Sequence, residues 1–359
     1  MIIEYKDVLV DIGDEMESVM ISNSIFALCP IAQVLLHDVN RAVSEGLRVL
    51  GDEIVNIIVV DNSVPVKIPF RLASGTIAPD GINKIAKLGL VHEYGYKMLL
   101  NPMSSGYSST SISRIILNEL NAIGERGADV ATVLTEVTVT PTGLNLGQEL
   151  LRIMEFEPDI AFLWHDMTDK AHFSTWEKLR KIAPVKTLSE TAEPDSTKIL
   201  DWFLEIPNLW LRSGGEKIDT WYAEMPTGSA LTTEQISYDS GHGIGEKTAW
   251  FNAFVTKKFI GAGTQQAAQF NKAKANFMRT VHSSLQLTAL VGGSFGWRPG
   301  QKVMVAGVGV TDLYDVNTFG EWFVYAVEHT FTAQDWKTTL RMTRTGAENI
   351  SDGRGFQDV

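Results

Sequence analysis

Alternating apolar side chains in the last third of the chain constrain its fold more than any other feature. The alternation runs over residues 285–291, 323–331 and 336–342. Successive side chains of a strand point to opposite faces, so this period of two predicts an antiparallel β-meander. Open strand edges pair indiscriminately, and the meander therefore requires closure into a barrel or pairing with another sheet.

A tight turn is predicted inside this meander at Arg298-Pro299-Gly300, because proline presets φ and glycine tolerates a positive φ. On the strand 323–331 we expect Phe323, Tyr325, Val327, His329 and Phe331 to share one face, with His329 a hydrogen-bonded, partly buried residue. The turn and the closing strands of this barrel are predicted to include Arg298, Pro299, Gly300, Val303, Tyr325, Val327, His329, Leu340 and Arg344.

The first hundred residues also read as strands, at 24–36, 47–50, 54–60, 64–72 and 89–100. Pro65 and Pro69 indicate an edge or a bulge, because proline cannot donate to a sheet. Both ends of the chain share a strand, an excursion, a Gly-polar-polar turn and a second strand. This weak repeat is compatible with two related barrels and equally with coincidence.

The middle of the chain mixes helices and strands. Apolar residues at helical spacing predict a helix from Ile112, ended by Gly124, and a short helix follows at 146–154. Strands are expected at 130–139 and 160–164, and Ser174 with Glu177 has the spacing of a capping box that opens a further helix. Two helices, at 246–260 and 264–282, are predicted to form a helical hairpin.

Charge and cysteine content exclude several classes of protein. The chain has 31 basic and 43 acidic side chains and a net charge of −12, which disfavours a sequence-independent nucleic-acid binder and a polybasic membrane anchor. The single cysteine, Cys29, cannot form an internal disulfide and is expected to be a small core residue. We expect synthesis in a reducing cytoplasm, without an export signal.

No motif for phosphate, zinc, acyl-transfer or calcium chemistry occurs in the sequence, which argues against an enzyme. The glycine-rich stretch at 241–245 lacks a preceding strand and is interpreted as a linker. Carboxylates at Glu155, Glu157, Asp159, Asp166 and Asp169 could form a glycosidase pair, and His165 and His172 could assist; we expect solvated loop carboxylates and structural histidines instead.

Three stretches of the meander carry a resemblance to a known family: residues 297–305 (WRPGQKVMV), 320–329 (GEWFVYAVEH) and 336–344 (WKTTLRMTR). They resemble the closing barrel of baseplate hub proteins, which include late control protein D of contractile phage tails and the hub part of type VI secretion spike proteins. The shared pattern is a Pro-Gly turn, a strand ending in Val-x-His and a last strand of Thr-x-Leu-x-x-x-Arg character.

The resemblance implies an α+β, mainly β fold with two tail-tube-like antiparallel β-barrels, an intervening α/β region and a helical insertion. The corresponding divisions are 1–104 for the first barrel, 105–217 for the middle domain, 218–240 with 283–346 for the second barrel, 241–282 for the insertion and 347–359 for a polar tail.

The function implied is a trimeric ring that joins the sixfold tail tube to the threefold spike and lines the DNA conduit of the virion tail, with neither cofactor nor metal. The expected partners are two further copies of the chain, the central spike and the tail tube or its initiator; a tape-measure protein and the baseplate wedge are further candidates. DNA would only pass through the lumen, and no stable membrane association is expected. A tail-tip cell-wall hydrolase and a carbohydrate-binding adhesin remain the alternatives.

Overall fold

The structure is a computed structural model in which two β units flank a smaller α/β unit. It describes residues 1–5, 8–11, 16–37, 54–80, 83–157, 159–179, 181–191, 196–205, 220–227, 230–237, 258–259, 285–306 and 320–344. The predicted α+β, mainly β fold class is confirmed.

The first β unit is a seven-stranded antiparallel sheet in the order β3-β4-β7-β6-β5-β1-β2. Its strands are β1 (Ile2–Tyr5), β2 (Val8–Asp11), β3 (Met16–Ser24), β4 (Ile31–His37), β5 (Ile54–Asp61), β6 (Val64–Asp80) and β7 (Asn83–His92). Alternating side chains on one face form the core, as the period of two predicts; they include Val19, Ile21, Ala32, Val34 and Leu36.

The middle unit packs four helices against short strands. The helices are α1 (Glu93–Leu100), α2 (Ile112–Ala122), α3 (Leu146–Met154) and α4 (Trp176–Leu179). The strands are β8 (Tyr107–Ser111), β9 (Asp129–Val130), β10 (Glu136–Val139), β11 (Ala161–His165) and β12 (Ala171–Thr175). β11 and β12 form an antiparallel hairpin, and β9 runs parallel to β12.

The remaining strands are β13 (Lys186–Ser189), β14 (Ser196–Glu205), β15 (Thr220–Thr227), β16 (Ala230–Ser237), β17 (Lys258–Phe259), β18 (Leu285–Gly292), β19 (Lys302–Ala306), β20 (Gly320–Phe331) and β21 (Trp336–Arg344). Six of them form the second β unit. They close a barrel in the order β13-β14-β18-β21-β20-β19, because β19 pairs with both β13 and β20. The closure that the meander required is thus present in the second β unit.

One long strand, β20, belongs to both β units. Its first four residues pair with β19 of the barrel, and residues 326–331 pair with β3 of the first unit. Its last residue, Phe331, packs in the first core, whereas Val327 packs in the barrel core. The two β units therefore share one hydrogen-bonded sheet.

The predicted common face of β20 is wrong in its first half. A bulge at Tyr325 shifts the register with β21, and an extra residue reverses which face the preceding side chains occupy. As a result Trp322 and Val324 share the barrel core with Val327, and Phe323 instead meets Trp176 of the middle unit edge-on at 5.0 Å.

Residues 93–100 form helix α1 instead of continuing the predicted strand at 89–100. The Nδ1 atom of His92 accepts a hydrogen bond from the N–H of Tyr94 and so caps the helix. Tyr94 and Met98 are buried one turn apart in the core of the middle unit, together with Met103. The first β unit therefore ends at His92, not near residue 104.

The predicted capping box is also wrong. Ser174 lies inside β12, paired with Phe162, and the backbone N–H of Glu177 is satisfied by the carboxylate of Asp159 at 2.8 Å. The strand predicted over 130–139 is split into β9 and β10. The helices at 112–122 and 146–154 are confirmed, and Gly124 follows α2 with φ of +88°.

The predicted division between the middle and second β units needs correction. β13 and β14 lie within 105–217 but belong to the barrel. β15 and β16, placed in the barrel by the prediction, instead form a separate three-stranded sheet in which β15 pairs with both β16 and β17. β17 also replaces helix at the end of 246–260. The rest of the predicted insertion, the linker at 241–245, the strand at 47–50 and the tail at 347–359 lie outside the described residues.

Candidate functional site: the junction of the β units

The loop that joins β11 to β12 lies where all three units meet. The backbone carbonyl of His165 accepts a hydrogen bond from the Asn23 side chain of β3 at 2.8 Å. Met167, in this loop, packs in the core of the first β unit. Asp166 is bonded to Arg298 of the second β unit at 2.8 Å. One short loop of the middle unit thus holds both β units.

The carboxylate of Asp166 is the electrostatic centre of this junction. It is 2% exposed and accepts four hydrogen bonds, from the N–H groups of Asp169 (2.8 Å) and Lys170 (2.9 Å) and from Arg298 (2.8 Å) and His172 (3.1 Å). Burial alone would raise the pKa of Asp166, but the bond from His172, the N–H of Lys170, the charge of Arg298 and the N–H of Asp169 together hold it well below its ordinary range. Such a carboxylate stays ionised and fully bonded, which suits a fixed joint and not a proton carrier.

The predicted Arg298-Pro299-Gly300 turn lies on the same joint. Gly300 has φ of +89°, and its N–H donates to the carbonyl of Val324 at 2.8 Å. A Cβ atom at this position would lie 2.7 Å from Cζ2 of Trp164. Trp164 in turn stacks on His172 with ring centroids 5.1 Å apart. Glycine is therefore needed here both for its φ and for the close approach of the tryptophan.

Buried histidines surround the loop on its other side. The rings of His92 and His165 lie 4.5 Å apart, Nε2 of His92 is 3.1 Å from the carbonyl of Met167, and Nδ1 of His165 accepts the N–H of Met167 at 2.9 Å. Met167 itself has φ of +75°, a strained value for a non-glycine residue that this packing enforces.

A second contact between the β units lies at the turn that joins β5 to β6. The carboxylate of Asp61 accepts a hydrogen bond from the N–H of Phe295 at 2.8 Å and from the hydroxyl of Ser294 at 3.3 Å. Phe295 packs against His329 and Trp336, each with ring centroids 4.9 Å away. Asp61 was not predicted from the sequence, because its contact with Phe295 joins residues 234 positions apart and no local sequence pattern indicates it.

The other predicted barrel residues lie on its closing strands. Val303, Val327 and Leu340 are buried in the barrel core. His329 is buried and its Nδ1 is 3.0 Å from the hydroxyl of Thr338, and the hydroxyl of Tyr325 donates to Gln286 at 3.3 Å. Arg344 ends β21 opposite Leu285. Val303, Val327 and Leu340 thus serve the barrel core, whereas the Arg298-Pro299-Gly300 turn serves the junction.

The acidic residues weighed as a glycosidase pair serve as loop anchors where their contacts are described. Asp159 accepts the N–H groups of Ile160 and Glu177, both at 2.8 Å, so it caps α4 instead of lying free in solvent. Two further buried carboxylates, which were not predicted from the sequence, also anchor loops. Glu119 accepts hydrogen bonds from the N–H of Ser104 and the hydroxyl of Tyr107, and Glu149 accepts one from the hydroxyl of Thr142. Among the described residues no three His, Cys, Asp or Glu side chains lie close enough together to bind a metal ion.

The buried histidines predict an acid-sensitive fold. Burial lowers the pKa of His329 to about 3, and burial together with the nearby His165 lowers that of His92 to about 3. Between pH 6.5 and about 3 the unfolded chain binds protons that the folded chain excludes, so each histidine should lower the free energy of unfolding by about 1.4 kcal/mol per pH unit as the pH falls. We expect urea titrations from pH 7 to pH 4 to show this slope. His329→Gln, which keeps a hydrogen-bond partner for Thr338, should reduce the slope by about 1.4 kcal/mol per pH unit. An unchanged slope in the variant would contradict the assignment.

Comparison with known proteins supports the fold independently of the sequence pattern. No protein-family profile and no curated protein sequence matches the chain. Among solved structures, the 43 kDa tail protein of prophage MuSo2 from Shewanella oneidensis matches this chain with a TM-score of 0.65 and 10% sequence identity. The match covers 96% of this chain and 98% of the tail protein. The tail protein of Neisseria meningitidis MC58 has a TM-score of 0.63 at 12% identity, over 96% and 95% of the two chains.

A component of the E. coli type VI secretion system has a TM-score of 0.52 at 6% identity, over 99% of this chain and 79% of its own. The chain therefore has the fold of phage tail proteins and of a type VI secretion component along nearly its whole length. The predicted resemblance to baseplate hub proteins is confirmed at the level of the fold. No helix in the described part of the chain has the length and apolar character needed to cross a bilayer.

Proposed function

We propose that this chain is a structural subunit of a contractile phage tail baseplate, a hub that forms a homotrimeric ring. The observation that carries the proposal is the match of two tail proteins over 96% of the chain, both β units included. Three copies would contribute six β units, a number that suits a sixfold tube on one side and a threefold spike on the other. The shared strand β20 and the junction at Asp166 make each pair of β units one body.

The ring would line the channel through which DNA leaves the virion, with the central spike and the tail tube or its initiator as partners, and with a tape-measure protein and the baseplate wedge as further candidates. A net charge of −12 supports this role, because an acidic wall repels phosphate and lets DNA slide. The protein would be made in the bacterial host and would act in the tail without catalysis. Light scattering tests the ring, since a trimer is expected and a monomer under all conditions would contradict it.

The two alternatives receive less support. A cell-wall hydrolase would need a free acid and base, whereas Asp166 and Asp159 are occupied by backbone and side-chain donors. Peptidoglycan turnover that disappears in Glu157→Gln, or in Asp166→Asn under conditions where that variant stays folded, would nevertheless establish that activity. The adhesin alternative rests on the tryptophans, which would have to be exposed to stack on sugars. The tryptophans with described side chains are all buried or half-buried: Trp164, Trp176, Trp202, Trp297, Trp322 and Trp336.

A further inference from the structure

Strand β5 carries apolar side chains on both of its faces, although Asn56, which donates to the carboxylate of Glu4 at 2.9 Å, interrupts the outward one. Val55 and Ile57 point into the core of the first β unit and are buried. On the opposite side Ile54 is 40% exposed and Val60 is 63% exposed, with Ile58 between them. A strand that is apolar on both faces usually lies between two layers. The outward side chains Ile54, Ile58 and Val60, here called the β5 face, thus need a covering layer.

The neighbouring edge of the sheet does not accept an added strand. β6 pairs with β7 only from Phe70 onward, so its stretch 64–69 has β5 as its only described strand partner. Pro65 and Pro69 lie in that stretch and have no N–H to donate. Contact with another molecule at this place must therefore be made through the β5 face and not by edge-to-edge strand pairing.

A second outward apolar pair lies on β14. A bulge at Leu200 shifts the pairing of β14 with β18, so that Leu200 and Phe203 point away from the barrel and are 51% and 61% exposed. The exposed carboxylates of Asp201 and Glu205 lie on the same strand. Leu200 and Phe203 with these two acids are here called the β14 face.

The two faces differ in charge, because the β14 face carries two acids and the β5 face is flanked by Lys67 together with its partner Glu4. Lys67 lies directly across from Ile58 of the β5 face, and its side chain is 54% exposed although it also pairs with Glu4. A cation beside the β5 face can meet the acids of the β14 face. Two β14 faces brought together would instead place Asp201 and Glu205 against their own copies, an arrangement that like-charge repulsion disfavours.

The positions of the two faces in the sheet fit a ring. In the closed barrel β14 lies three strands away from the shared strand β20 in either direction, whereas β5 lies in the first β unit beyond β3, β4, β7 and β6. One copy therefore presents different faces on its two β units. Contacts between two different patches on successive copies are heterologous, and such contacts form a ring when the rotation from one copy to the next closes. We infer that the β5 face of one copy packs against the β14 face of the next copy, an inference that rests on the proposed trimeric ring.

Two lysine substitutions test this arrangement. Val60→Lys damages only the β5 face and Phe203→Lys only the β14 face, and both side chains are more than half exposed, so each variant should keep the unfolding temperature of the parent chain. We expect each variant alone to be a monomer at concentrations where the parent chain is a trimer, a loss of affinity of about 30-fold or more at the altered contact.

An equimolar mixture of the two variants gives the sharper readout. The intact β14 face of Val60→Lys can bind the intact β5 face of Phe203→Lys, so one good contact forms and the ring cannot close. The mixture should therefore contain a dimer with one copy of each variant. Leu134→Lys, at a side chain that is 89% exposed in the middle unit, is the matched control and should remain a trimer.

Three results would overturn the inference: a trimer of either variant alone, a dimer of either variant alone, or a mixture that stays monomeric. If a variant fails to fold, Ile54→Lys and Leu200→Lys replace the pair and carry the same expectations. A parent chain that is monomeric both alone and with the spike would instead contradict the proposed function. The two failures are therefore distinguishable.

Discussion

Gly300→Val is expected to lower the free energy of unfolding by about 3–5 kcal/mol, because two costs add at this position. A β-branched residue is strained at a φ of +89°, and its Cβ atom would lie 2.7 Å from the Trp164 ring, which the stack on His172 holds in place. Urea denaturation followed by tryptophan fluorescence measures the effect.

Two other glycines separate these costs. A Cβ atom at Gly292 or Gly143 meets nothing within 4 Å, and of the two only Gly143 has a positive φ, of +84°. Gly143→Val therefore reports backbone strain alone, and Gly292→Val is the matched control for a surface valine. We expect the order Gly300→Val, Gly143→Val, Gly292→Val in decreasing damage. Equal stabilities for Gly300→Val and Gly292→Val would contradict the requirement for glycine at position 300 of the turn.

Asp166→Asn is expected to cost about 2–4 kcal/mol, although the side chain keeps its size. One carboxylate oxygen accepts both Arg298 and His172, and an amide nitrogen in its place would face two donors. Because Arg298 is 36% exposed, solvent screens its share of the loss, and we place the larger share on the buried hydrogen bonds.

Asp169→Asn is the control for this substitution, because Asp169 lies on the same loop with an exposed side chain. It should change the free energy of unfolding by less than about 0.5 kcal/mol. Since Asp166 joins the middle unit to the second β unit, its loss should also raise the rate of amide hydrogen exchange in the loop 166–170. Equal stabilities for the two variants would show that Asp166 does not hold the junction.

The sequence predicts best those elements whose signal is local. The alternation of β18 and β21 and the helical spacing of α2 and α3 each lie within one element, and the structure has all four at the expected places. Helix α1 was missed because it is only eight residues long and its large side chains at Tyr94, Tyr96 and Met98 alternate as in a strand. The bulge at Tyr325 was missed because one extra residue leaves no trace in an alternating pattern.

Long-range pairing accounts for the remaining errors. β13 was assigned to the middle unit because it follows that unit in sequence, yet it closes the barrel by pairing with β19, more than a hundred residues later. The candidate site likewise depends on contacts between residues that are far apart in the sequence. His165, Asp166, His172 and the Arg298-Pro299-Gly300 turn were each identified in the sequence, but their meeting in one joint depends on how the two β units lie against the middle unit.

The solution mass of the purified chain, alone and with the spike protein, shows whether the chain forms the proposed trimeric ring. One chain has a mass of 39.6 kDa. We expect a particle of three chains in at least one of the two conditions, with the spike bound in the second. A single chain in both conditions would contradict the ring and the conduit, and would return the hydrolase and the adhesin to equal standing.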